Sequence, residues 1–164
     1  MVNPEFLSGE ASASPAVELL IVAGDRLTAA GFSQGALSAR NGPRTTTHAY
    51  TNLANMQPQD FVEIADYDPH LDRILCLGRR DPHPYAGMHH LMFRAKKEIG
   101  AIAMVERTRP GPAPAPGPRS QLDMAMAALE ALRKGDIVPV GRHMLAVGRT
   151  VDEATSRAIA GPRA

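Results

Sequence analysis

The run from Ile99 to Val105 is wholly apolar and is closed off by Glu98 on one side and Glu106 on the other. A short apolar run bounded by charge reads as an interior strand buried on both faces, and the rest of the fold must supply cover for both. Just before it, Met88, Leu91, Met92 and Ala95 fall at i, i+3, i+4 and i+7, one helical stripe, while Arg94, Lys96, Lys97 and Glu98 stay polar. Gly100 ends that period. Ahead of the helix lies the proline-bracketed loop Asp81-Pro82-His83-Pro84-Tyr85. Loop, helix and interior strand in this order set several side chains around one pocket, so the chemistry is expected there.

The flanking sequence reads as one domain over residues 15–160. Residues 1–14 are small, polar and without period, and are expected to be a disordered arm. Pro15 starts a helix whose core face is Val17, Leu20, Ile21 and Leu27, ending at Gly31. Strands are expected at Ala36–Ala39 and Thr45–Tyr50. A hairpin should follow, made of Phe61–Ala65, a turn at 66–69 and Ile74–Leu77. Residues 109–119, RPGPAPAPGPR, have no apolar face and read as an extended surface excursion. Ser120 with Asp123, and Thr150 with Glu153, are capping signatures for two further helices, with short strands at Ile137–Val140 and Met144–Val147 between them. About four helices and seven strands in this mixed order give an α/β fold, a mixed sheet with helices on its faces.

Composition narrows the function. With 18 basic and 17 acidic residues the net charge is +1, and no Lys/Arg block is interleaved with aromatics, so nucleic acid is not an expected partner. No window approaches a spanning length of uncharged apolar residues, and the N-terminus lacks the order of a secretory signal. A cytoplasmic protein without a membrane partner is expected. The single Cys76, in Ile-Leu-Cys-Leu, reads as a small buried thiol.

Four segments, in order, carry a resemblance. Ser33-Gln34-Gly35-Ala36-Leu37-Ser38-Ala39-Arg40 resembles a glycine-rich loop ending in Ser-x-Arg. Met56 through Ile64 resembles a Leu-x-x-x-Asp-(Leu/Ile)-Val strand. His89 through Ala103, with Phe93, resembles a His-x-x-x-Tyr helix and the strand after it. Arg142-His143 through Ala154 resembles an Asn-His-Gly close. Together they are similar to the class II aldolase/adducin family, with its fuculose-phosphate aldolase-like fold. The resemblance implies a three-layer α/β fold with a mixed, largely antiparallel central sheet and helices on both faces. It also implies a divalent metal, usually zinc, on three histidines, a carboxylate acid/base on the loop before the helix, and a tetramer.

Carried over residue by residue, that resemblance puts Tyr85 at the acid/base glutamate and Met104 and Glu106 at two histidine ligands, leaving His143 as the surviving imidazole. A thioether is a poor zinc ligand. No cofactor is therefore expected; Glu106 and His143 are the two positions left to share a zinc, iron or manganese ion. The candidate catalytic residues are Tyr85, Glu106 and His143, and the candidate substrate contacts are Arg40, Thr47, His83 and His89. Bland readings stand beside these. His143 sits in a turn where a histidine is often structural, and Tyr85 can be a ring lining a loop. Glu106 can pair with Arg142 or Arg107, and Arg40 can pin its loop rather than hold an anion. His90 is expected on the solvent face with Arg94 and Lys97. Two functions follow. One is an aldolase-like enzyme, a lyase or isomerase working by acid/base chemistry on a small carbonyl or sugar-derived substrate without the three-histidine zinc. The other is a non-catalytic, adducin-like module kept for oligomer assembly.

Overall fold

The apolar run becomes β6 (Ala101–Glu106), flanked by β2 (Gly35–Asn41) on one side and β8 (His143–Gly148) on the other, both antiparallel to it. The computed structural model describes residues 3–49, 52–106 and 120–161. Tyr50, Arg107 and the proline-rich excursion at 109–119 lie outside the described residues. Outward from β2 come β3 (Arg44–His48), β4 (Phe61–Asp68), β5 (Arg73–Leu77) and β1 (Asn3–Ser8), and β7 (Ile137–Val140) lies beyond β8. Every pairing among these eight strands is antiparallel except β1 with β5. The β2–β3 turn uses Gly42 at φ +61°, a left-handed conformation that glycine adopts without a Cβ clash.

Alternation along β6 sends its side chains to two cores. Ala101, Ala103 and Val105 pack with Val17, Leu20 and Leu27 of α1 (Ala16–Ala29) and with Val151 and Ala154 of α4 (Val151–Ala160). Ile102 and Met104 pack with Met88, Met92 and Phe93 of α2 (Ala86–Ala95) and with Ala125 and Ala128 of α3 (Gln121–Ala131). Helices therefore cover both faces, a three-layer arrangement in which burying a side chain such as Ile102 or Met104 contributes about 1.5–3 kcal/mol. The expected caps form. Ser120 Oγ accepts from Asp123 N–H at 3.0 Å and Thr150 Oγ1 from Glu153 N–H at 3.1 Å. Among the described residues no helix is long and apolar enough to cross a membrane.

Three expectations are corrected. Within 1–14, Asn3–Ser8 is a strand: its backbone fills the open edge of β5, with Asn3 N–H on Asp72 O at 2.9 Å and Gly78 N–H on Ser8 O at 3.0 Å. Backbone pairing needs no apolar period, so composition carries no trace of it. The turn expected at 66–69 starts later, because a bulge between Ile64 and Asp66 lets β4 run on to Asp68. The interior strand begins at Ala101 and includes Glu106, which pairs with His143.

Candidate active site

Three segments meet at one end of the sheet around a cleft of about 520 Å³. The loop between β5 and α2 brings His83, Pro84 and Tyr85; the end of β6 brings Glu106, and the start of β8 brings His143. Gln34, Gly35 and Asn52 complete the wall. The loop is held at both ends. His83 N–H donates to His48 O at 3.1 Å, and Ala49 bridges Pro82. On the other side the Gln121 side chain donates to Pro84 O and accepts from Met88 N–H at 2.7 Å, tying α3 to the first turn of α2. At Gly35 a Cβ would sit 2.5 Å from Met104 O, so only glycine allows β2 this close to β6.

Tyr85, Glu106 and His143 thus converge as the sequence suggested. Glu106 and His143 are cross-strand neighbours, and the Tyr85 and His143 rings meet edge to face with centroids 5.1 Å apart. Burial pushes the His143 pKa below its ordinary value, and the Glu106 carboxylate pulls it partly back. The result is a neutral imidazole at physiological pH, able to take a proton.

Beneath the cleft lies a buried imidazole and hydroxyl network. His83 Nδ1 accepts from Tyr85 N–H at 3.1 Å, so the ring proton is on Nε2 and is donated to Thr47 Oγ1 at 2.6 Å. Thr47 passes its own proton to Leu37 O at 2.7 Å, so the proton between Ser38 Oγ and Thr47 Oγ1, 2.9 Å apart, is Ser38's. Ser38 must then accept from His89 Nδ1, 2.6 Å away, which leaves His89 Nε2 with its lone pair bare. That atom is buried and has no partner among the described residues. His48 is fixed as the Nδ1–H tautomer, donating to Ala49 O at 2.8 Å while Nε2 accepts from Leu37 N–H at 3.0 Å. The rings of His48 and His83, and of His83 and His89, stand 4.9 and 5.3 Å apart. Desolvation lowers His48 to about 4 and His89 to about 3, and pushes His83 well below its ordinary value.

The candidate substrate contacts divide. His83 lines the cleft, but both its nitrogens are engaged within the protein, which makes it a fixed neutral support for Tyr85. Thr47 and His89 are fully buried in the network and do not line the cleft. Arg40 is elsewhere: its guanidinium bonds the carbonyls of Phe93, Lys96 and Ile99 at 2.6–3.1 Å and stacks 5.3 Å over the Phe93 ring. It closes the C-terminus of α2, where a cation is favoured. His90 is corrected outright. It is 1 % exposed, with Nδ1 2.9 Å from Thr45 Oγ1. Sequence reasoning missed the role of β3, Arg-Thr-Thr-Thr-His, whose last four residues are all buried. The available signal was a run of three threonines ending in His48, with His83, His89 and His90 further on, donors and acceptors for one another.

The donor set among the described residues does not fit a zinc ion. Met104 is fully buried in the α2–α3 core, and among the described residues no group of three or more His, Cys, Asp or Glu is placed to hold a metal. Among the described residues of the cleft wall, Glu106 and His143 are the two carboxylate or imidazole residues with a donor not already engaged within the protein, fewer than such an ion requires.

Comparison with solved structures agrees on the fold. An L-fuculose 1-phosphate aldolase superposes with a TM-score of 0.68 at 17% identity, covering 89% of this chain and 81% of the other. The L-fuculose-1-phosphate aldolase from Thermus thermophilus gives 0.62 at 17% identity, with 88% and 86% covered. An aldolase II superfamily protein from Pseudomonas syringae gives 0.60 at 15% identity, with 88% and 72% covered. No family model matches the chain, and no curated protein sequence matches it. The fold is that of the class II aldolases.

Proposed function

We propose that the protein is a divergent enzyme on the class II aldolase scaffold, acting on a small carbonyl or sugar-derived compound by acid/base chemistry, of lyase or isomerase type. The convergence of Tyr85, Glu106 and His143 on one cleft carries this reading. Neutral His143 takes a proton from the carbon beside the carbonyl, or from a β-hydroxyl when a carbon–carbon bond is to break. Tyr85 gives a proton to the carbonyl oxygen as charge develops there, and Glu106 stabilises the imidazolium formed on His143. His83 and Gln121 hold the loop so that the phenol and the imidazole face the same space. Proton transfer falls to these side chains, since the donors among the described residues do not fit a metal ion. The same reading makes the protein cytoplasmic and a homo-oligomer, a tetramer by the resemblance.

The test is exchange of the α-hydrogens of hydroxyacetone for deuterium in heavy water, followed by NMR with the protein freed of metal by a chelator. The wild type should exchange them, and His143→Ala should slow exchange by about 10²–10⁴-fold, the usual range for a positioned acid/base group. Tyr85→Phe should slow it with little change in binding. Wild-type protein that neither exchanges nor cleaves carbonyl compounds would leave the adducin-like, non-catalytic module as the reading. Metal analysis of the purified chain should find no stoichiometric zinc, iron or manganese.

A further inference from the structure

The wall formed by Tyr85 and His143 has a second side. Behind the two rings lies an annex of about 230 Å³ between α3 and the β7–β8 turn, lined by Met124, Ala127, Ala128, Pro139 and Val140, with Gly141 and Arg142 at its turn. The two cavities share Tyr85 and His143, so a molecule reaching from one to the other passes over the residues assigned to proton transfer. Their chemistries differ. The cleft offers the amides of Gln34 and Asn52 and the carboxylate of Glu106, whereas the annex offers the thioether of Met124 and the aliphatic groups of two alanines, a proline and a valine. Among the described residues the cleft wall carries neither Lys nor Arg, so a phosphate there would meet Glu106 with no cation from those residues to offset it. Arg142, the one cation among the described residues of the annex, is exposed.

We infer that the site takes an uncharged hydroxy ketone or hydroxy aldehyde carrying a short alkyl tail, with the hydroxyl and carbonyl in the cleft and the tail in the annex between α3 and β7. This rests on the cleft being the reacting site, but it concerns binding and stands or falls separately from turnover. Apolar substituents gain by leaving water, and every methylene that enters the annex should tighten binding about fourfold.

The experiment titrates intact protein, labelled at the methionine methyls, with hydroxyacetone, 1-hydroxybutan-2-one and 1-hydroxypentan-2-one, following Met124 by NMR. The expected result is affinity that climbs about fourfold per added methylene, with a Met124 signal that moves more as the tail lengthens. Ala127→Phe, on an exposed face of α3, should fill the annex and flatten that dependence. Met124→Ala, which removes the annex wall instead, should also flatten it and serves if the phenylalanine variant does not fold. Affinity independent of tail length in the wild type, or the same dependence retained in a folded variant, overturns the inference. Tail-dependent binding without isotope exchange upholds it and overturns only the catalytic reading.

Discussion

Lowering the pH from 8 to 5 should strongly destabilise this protein through its buried histidines. His48 and His90 are held at about 4 and His89 at about 3 in the folded chain, chiefly by desolvation, and each returns to about 6.5 when the chain unfolds. The folded state therefore binds fewer protons than the unfolded one between these limits. The histidines' contribution is complete above pH 6.5 and drains away as pH falls toward the folded values. At pH 5 each of the three favours the unfolded chain by about 2 kcal/mol, roughly 6 kcal/mol together, and His83 acts in the same direction. Total stability for a domain is about 5–15 kcal/mol, so a loss of this size is a large part of it. Urea unfolding followed by circular dichroism should give a midpoint that is flat above pH 7 and falls steeply below pH 6. His90→Gln, which keeps a hydrogen-bonding group for Thr45 but does not titrate, should reduce the slope by about 1.4 kcal/mol per pH unit. A midpoint that does not move between pH 7 and pH 5 would refute the reasoning, since it would mean that these imidazoles are hydrated or charged when folded.

Arg40→Ala should cost about 2–3 kcal/mol in urea unfolding through loss of charge-assisted bonds to Phe93, Lys96 and Ile99 carbonyls, and should leave hydroxyacetone affinity unchanged. Gly35→Ala should destabilise by about 1–3 kcal/mol, because the methyl meets Met104 O and the two strands must part. Its melting temperature and the cleft-side amide signals of Gln34 and Glu106 should shift together. Gln121→Leu should lower kcat for deuterium exchange more than it raises KM, since it releases Pro84 O and Met88 N–H and lets Tyr85 wander while the rest of the cleft stays in place.

Elements whose signal is local were legible in the residues themselves. The apolar run with its preceding helical stripe marked β6 and α2, the Ser120 and Thr150 caps marked the starts of α3 and α4, and the ordered segments pointed to the scaffold. Tyr85, Glu106 and His143 came forward on the same basis, because loop, strand and turn positions follow once the scaffold is known. The remainder was set by packing across the layers. Whether Arg40 faces an anion or a helix end depends on where α2 stops relative to β2. His90 left the polar face because Thr45 needed a partner across the layer. Asn3–Ser8 became a strand because β5 had an open edge. In each case the energy lies in pairing with a group far along the chain, and a buried hydrogen bond or a strand ladder, unlike an apolar stripe, leaves no period in the residues that make it.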